Sequence, residues 1–141
     1  MSLGRILLVD DEPDMRLSTA QALDLAGFDV EEAPDAQAAL DRVSFGFAGI
    51  LVTDIRMPGM DGLELCRRVR AEPSGESVVV LVITGRNEQS DVNAALDAGA
   101  SDYLAKPVGT ALLRTRLAIA ERRVAEGARR REAEEKLRAS E

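Results

Sequence analysis

Ala48-Gly49-Ile50-Leu51-Val52-Thr53-Asp54-Ile55-Arg56-Met57-Pro58-Gly59-Met60-Asp61-Gly62 is the stretch that decides the fold. A short apolar run ends on Asp54, and a turn follows at once. Residues 50–53 read as a strand buried on both faces, because the run is nearly continuous in its hydrophobicity. Pro58-Gly59 and Asp61-Gly62 are turn dipeptides. Asp54 is therefore expected at the carboxyl end of a central strand, facing a loop. In open α/β sheets that rim is where ligands bind. Alone, such an Asp reads simply as the residue that stops a strand.

The flanking sequence supplies the rest of the sheet. Arg5-Ile6-Leu7-Leu8-Val9 predicts a first strand running into Asp10-Asp11. Glu12-Pro13 opens a helix, since Pro suits the first helical position. Met15, Thr19, Ala22, Leu23 and Ala26 share its expected inner face, and Gly27 closes it as a C′ glycine. Phe28–Ala33 alternates in polarity, which suits a strand nearer an edge. Asp35 caps a second helix with Ala36, Ala39, Leu40 and Val43 inward. After Asp54, a third helix begins at Asp61 or Gly62 and carries Leu63, Leu65, Cys66 and Val69. Residues 72–75 are a loop. Val78-Val79-Val80-Leu81-Val82-Ile83 is the strongest buried-strand signal in the chain, ending on Thr84-Gly85. A weaker helix covers about 88–98. Tyr103-Leu104-Ala105 is a fifth strand, ending on Lys106-Pro107. From Thr110 a helix runs to the end, interrupted by Gly127.

Strand and helix alternate five times, which implies a parallel sheet with right-handed crossovers. The simplest closure is α/β: a doubly wound five-stranded parallel sheet in the order 2-1-3-4-5, flavodoxin-like, with an extended C-terminal helix. Its switch point lies between strands 1 and 3. That places Asp10, Asp11 and Asp54 at one crevice.

Composition narrows the chemistry. The 141 residues suffice for one domain with an aliphatic core, since aromatics make up 3% and Trp is absent. The net charge of −7 argues against a nucleic-acid-binding body. Residues 1–109 carry 9 Lys and Arg against 19 Asp and Glu, whereas residues 110–141 carry 9 against 6, so the tail is different material from the body. The single Cys66 excludes an internal disulfide and fits a cytoplasmic protein. No apolar run approaches membrane-spanning length. Histidine is absent, which removes a Ser-His-Asp triad, His metal ligands and the usual general base.

Strands 1, 3, 4 and 5 end at Asp10-Asp11, Asp54, Thr84 and Lys106, all on one rim of a parallel sheet. Singly, Asp11 reads equally as a helix cap, Thr84 as a turn residue and Lys106 as a solvated charge. Four polar strand ends converging on one rim is a less ready accident. At an effective dielectric near 20, two carboxylates about 4 Å apart repel by ~4 kcal/mol. Three clustered together require a cation or protons, and an all-oxygen site favours Mg²⁺ or Mn²⁺. The chain has 16 Arg and only 2 Lys, so a Lys at this rim points to a compact point charge suited to one carboxylate or phosphate oxygen.

Together these motifs resemble the receiver domain of two-component response regulators. The matching segments are Leu7-Leu8-Val9-Asp10-Asp11-Glu12, Asp54-Ile55-Arg56-Met57-Pro58-Gly59-Met60-Asp61-Gly62, Val82-Ile83-Thr84-Gly85 and Asp102-Tyr103-Leu104-Ala105-Lys106-Pro107. They stand in the family's order and spacing over about residues 4–120. The resemblance implies that Asp54 is the phosphoacceptor. It implies that Asp11 and Asp54 bind Mg²⁺ (or Mn²⁺) directly, with the Arg56 backbone carbonyl, and Asp10 mostly through water. Thr84 would hydrogen-bond the phosphoryl group, Lys106 would pair with it, and Tyr103 would be the switch aromatic. Lys106-Pro107 would hold a cis peptide. The donor would be a histidine kinase or phosphotransfer protein. The chain would be no enzyme beyond its own Mg²⁺-dependent phosphorylation and dephosphorylation.

Arg56 and Arg86 lie two residues after Asp54 and Thr84, where the family varies; they read either as obstacles to hydrolytic water or as solvated surface charges. A haloacid-dehalogenase-like phosphatase is similar in using Asp and Mg²⁺, but Asp10-Asp11-Glu12-Pro13 does not fit its Asp-x-Asp motif. The acidic first loop does not suit a flavin phosphate, and P-loop and Rossmann glycine patterns are missing. The remaining alternative is a receiver-like interaction domain that works without phosphorylation.

The expected organisation is a receiver domain over 4–124 and a helical linker over 125–141 toward an absent output domain. Leu113, Leu117, Ala120 and Val124 make an inward stripe, beyond which the apolar signal thins. Arg131–Glu141 resembles the lead-in to a PAS sensor or histidine-kinase module. A weak homodimer through this helix is expected, with no direct nucleic-acid or membrane binding.

Overall fold

The computed structural model describes residues 4–84, 89–105 and 109–139. In chain order the elements are β1 (Arg5–Val9), α1 (Pro13–Leu25), β2 (Asp29–Ala33), α2 (Ala36–Ser44), β3 (Ile50–Asp54), α3 (Gly62–Ala71), one 3₁₀ turn (Pro73–Gly75), β4 (Val79–Thr84), α4 (Gln89–Asp97), β5 (Asp102–Ala105) and α5 (Thr110–Ala139). The five strands form one sheet in the order β2-β1-β3-β4-β5, with each neighbouring pair parallel. The flavodoxin-like α/β fold expected from the alternation is therefore the one observed.

Helices cover both faces, so the central strands are apolar on both. Leu7, Val9, Leu51, Val80 and Val82 point to one side, against α2, α3 and α4. Ile6, Leu8, Ile50, Val52, Val79 and Leu81 point to the other, against α1 and α5. This two-sided burial explains why residues 50–53 and 78–83 carry no polar alternation. β2 lies at the sheet edge, as its alternating polarity predicts. Its charged residues are held by neighbours. Arg42 of α2 grips Glu31 at both guanidinium arms, and Arg16 reaches Glu32. The hydrogen bond from Arg42 holds the Glu31 carboxyl below the usual carboxylate range.

Local signals place the helix ends. Asp35 caps α2 by accepting from the Ala38 N–H at 2.8 Å, and Asp61 caps α3 by accepting from the Glu64 N–H at 2.9 Å. Gly27 adopts φ 102°, the left-handed conformation a helix-closing glycine supplies. Three expectations need correction. The inner face of α1 is centred on Ala20 and Leu23, with Ala26 packed beside them; Ala22 is exposed and Met15 is 49% exposed. The helix is rotated so that Arg16 turns toward the strand ends. Residues 73–75 form a 3₁₀ turn rather than plain loop. Gly127 does not interrupt α5, which is helical from Thr110 to Ala139. One internal glycine costs about 1 kcal/mol of helix propensity, and the Ala, Glu and Arg residues around it outweigh that.

At 1.5 Å per residue the 30 residues of α5 span about 45 Å. Its first half packs through Leu113, Leu117, Ala120 and Val124. Arg123 donates to the Ser101 carbonyl at 2.8 Å, tying α5 to the start of β5. From Arg129 to Ala139 every residue is exposed. No helix among the described residues is long and apolar enough to cross a membrane.

Candidate functional site

The parallel register gathers the polar strand ends on one rim. Val9 pairs with Thr53 across β1 and β3, so the next residues, Asp10 and Asp54, emerge side by side. Asp54 pairs with Ile83 across β3 and β4, and Thr84 pairs with Ala105 across β4 and β5. Asp10 and Thr84 are buried, and Asp54 is half-buried. Together with Thr53 they are the chemistry the sheet brings to its carboxyl end. Lys106, Pro107 and Arg86 lie outside the described residues.

Asp10 and Asp54 line one cavity of ≈ 560 Å³, whose floor is the apolar sheet surface of Leu8, Val52 and Ile83. Met15 and Leu113 flank it, so the partly exposed Met15 belongs to this cavity and not to the core. Asp10 accepts from the Glu12 N–H through Oδ1 at 3.0 Å. That bond fastens the loop between β1 and α1 and leaves no capping role to Asp11. Glu12 itself is the N-cap, with no side-chain cap bond. Arg16 donates to the Asp10 carbonyl at 2.8 Å, and so ties α1 to the same strand end.

Around Asp54 the backbone is fixed on several sides. The Arg56 N–H reaches Asp54 Oδ1 at 3.4 Å. The Ile55 N–H donates to the Ile83 carbonyl at 3.2 Å, and the Gly62 N–H to the Ile55 carbonyl at 2.8 Å. The Thr53 hydroxyl donates to the Asp54 carbonyl at 3.0 Å. Gly62 has no side chain because none fits: a Cβ there would lie 2.1 Å from the Asp54 carbonyl oxygen. Gly59 holds φ 75° in the turn after Pro58, a conformation glycine adopts without steric cost.

The donor set is all oxygen, which suits a hard divalent cation. The expectation of three clustered carboxylates is not met as stated. Among the described residues no three His, Cys, Asp or Glu side chains sit together at metal-ligand spacing. Asp10 and Asp54 share the cavity, while the half-buried Asp11 is not part of its lining. A pair of this kind still fits Mg²⁺, which is commonly held by one or two carboxylates, waters and substrate phosphate oxygens.

Arg56 is exposed and lines a neighbouring groove with Met57, Asp61 and Asp91. Tyr103 is half-buried against the α2–α3–α4 core. Desolvation, reinforced by the Asp91 charge, pushes its phenol above the usual tyrosine value. Sequence reasoning missed Thr53, Gly62 and Arg16 as parts of the site. Asp-Gly at 61–62 read as a turn and a helix start, although the close approach of α3 to Asp54 is what demands the glycine. A polar Thr inside an otherwise apolar strand was the one visible signal for Thr53. Nothing local marked Arg16.

The sequence pattern of the response regulator receiver domain matches residues 6–118. Response regulator MprA of Mycobacterium avium is 45% identical over 103 residues, which is 73% of this chain and 44% of that protein. The chain thus spans less than half the length of the curated relatives it matches. Among solved structures, Vibrio cholerae chemotaxis protein CheY4 superposes with a TM-score of 0.77 at 27% identity, covering 85% of this chain and 98% of that one. The receiver domain of a Pseudomonas aeruginosa sensor histidine kinase, crystallised with a magnesium ion coordinated in its active site cleft, gives a TM-score of 0.77 at 30% identity, covering 84% and 97%.

Proposed function

The chain belongs to the response regulator receiver family, and from that premise we propose that Asp54 accepts a phosphoryl group from a histidine kinase or phosphotransfer protein in a Mg²⁺-dependent reaction. The observation that carries this reading is the placement of Asp54 at the end of the central strand, in one cavity with Asp10 and one strand from the buried Thr84.

A carboxylate oxygen of Asp54 attacks phosphorus, forming a P–O bond as the P–N bond to the donor imidazole breaks. The leaving imidazole takes a proton from solvent. An ionised carboxylate is already a nucleophile, so the absence of histidine from this chain is no obstacle. Asp10 and Asp54, joined on cation binding by Asp11 and the Arg56 carbonyl, would hold Mg²⁺, or Mn²⁺, which would neutralise charge on the transferring group. Lys106 would pair with the phosphoryl group as a further positive charge, and the Thr84 hydroxyl would donate to a phosphoryl oxygen. The product carries roughly −1.5 to −2 charge. Drawing Thr84 toward it opens space for Tyr103 to turn inward, which changes the surface of α4, β5 and α5. A cis peptide at Lys106-Pro107 belongs to the same reading.

Residues 4–124 form the receiver unit in this reading, and 125–141 a helical linker to an output domain. A weak homodimer through that helix and a cytoplasmic location complete it. Incubation with acetyl phosphate and Mg²⁺, followed by intact-mass measurement, should show one phosphoryl adduct. Chelation should abolish it, and undiminished labelling of Asp54→Asn would sink the assignment.

A further inference from the structure

Among the described residues three polar side chains are buried: Asp10, Thr84 and Thr53. The first two already belong to the phosphoryl site. Thr53 has no assigned part, yet it stands directly before Asp54 and is fully buried between Val9 of β1 and Val82 of β4. Burying a hydroxyl is unfavourable unless it is hydrogen-bonded. Valine has nearly the same shape and would fill this strand position without that cost, so the hydroxyl needs a reason.

Its bond to the Asp54 carbonyl supplies one. That carbonyl lies at the strand end, pressed against the first turn of α3 at Gly62. The other side of the same peptide unit is held by the Ile55 N–H on the Ile83 carbonyl. The Asp54–Ile55 peptide is therefore gripped at both its oxygen and its nitrogen. Its plane sets where the next residue leads. It thereby sets the Arg56 N–H, which touches the Asp54 carboxylate, and the Arg56 carbonyl behind it.

We infer that the Thr53 hydroxyl is a positioning group, which locks the peptide after Asp54 so that the Asp54 carboxylate and the Arg56 carbonyl face the cation side of the rim together. In this role Thr53 acts through the backbone, by its bond to the Asp54 carbonyl, and not as a ligand. The inference rests on the Asp54 reading and assigns that site one more residue.

Two variants separate hydroxyl from packing. Thr53→Val keeps the branched shape and loses the hydroxyl. Thr53→Ser keeps the hydroxyl and loses a methyl. Each is compared with the full wild-type chain in three measurements: Mg²⁺ affinity by titration calorimetry without phosphodonor, initial labelling rate with acetyl phosphate, and thermal melting. One lost hydrogen bond of ordinary strength translates to about a fivefold effect. Thr53→Val should therefore bind Mg²⁺ and label about fivefold more weakly, while Thr53→Ser stays near wild type in both, whatever the order of their melting temperatures. Equal behaviour of all three proteins overturns the inference. So does the reverse order, with Ser impaired and Val normal, which would show a packing role. Failure of the Asp54 reading looks different, because wild type itself would then take no phosphoryl group.

Discussion

Gly62→Ala should destabilise this protein, against the usual direction for a helix. Alanine in place of glycine within a helix normally gains up to about 1 kcal/mol. Here the new Cβ would sit 2.1 Å from the Asp54 carbonyl oxygen, 2.9 Å from the Ile55 Cα and 3.0 Å from the Asp54 carbonyl carbon. Non-bonded carbon contacts settle near 3.5–4.0 Å, so β3 and α3 must separate by more than about 1 Å. All three obstacles are backbone, and no side-chain rotation relieves them. Overpacking of this kind costs about 1–3 kcal/mol. Against the full propensity gain the net loss reaches about 2 kcal/mol, or a fall in Tm of up to roughly 7 °C for a chain of this size. Because the displaced atoms are those of Asp54, labelling by acetyl phosphate should slow as well. Gly127→Ala is the control. There the nearest neighbour of a Cβ is an Arg131 guanidinium nitrogen at 3.6 Å, an ordinary contact. It should strengthen the far-UV helical signal and leave Tm no lower. Gly62→Ala melting at or above wild type would refute the close-approach argument.

Two further outcomes follow from other parts of the molecule. The Glu31–Arg42 pair lowers the Glu31 pKa, so its stabilisation is present above the unfolded value of 4.5 and is lost as pH falls through the folded value. Glu31→Gln should therefore melt slightly below wild type at pH 7, and the gap should close in melts taken below pH 4.5; a gap that persists in acid points to packing instead. Analytical ultracentrifugation of the whole chain and a 1–124 truncation, each with and without beryllofluoride, should show weak dimerisation only when residues after 124 are present, and a change with the phosphoryl analogue; four identical monomers would leave the C-terminal helix as a passive tether.

The sheet was legible because its physics is local and repetitive. Apolar runs too short for a helix, at 50–53 and 78–83, read as two-sided strands, and five alternations with helices leave few closures. The rim was legible for a related reason: a parallel sheet delivers every strand's last residue to the same edge, so Asp10, Asp54 and Thr84 reach one rim without any long-range guess. What escaped was set by three-dimensional approach. The rotation of α1 depends on Arg16 reaching the Asp10 carbonyl, and the weak apolar stripe of that helix could not specify it. Gly62 read as a turn residue and helix start, and its steric necessity escaped because sequence does not reveal that α3 presses on β3. Gly127 looked like a break because propensity was weighed at one residue, whereas helix continuity is decided over the whole turn on each side.

The central claim is that one particular carboxylate among 25 acidic residues is the acceptor. Reductive trapping tests it most directly. After treatment with acetyl phosphate and Mg²⁺, borohydride converts an aspartyl phosphate to homoserine, and peptide sequencing by mass spectrometry locates the change. The account predicts homoserine at position 54 and nowhere else. Homoserine at position 10, 11 or any other aspartate, with Asp54 intact, would contradict it.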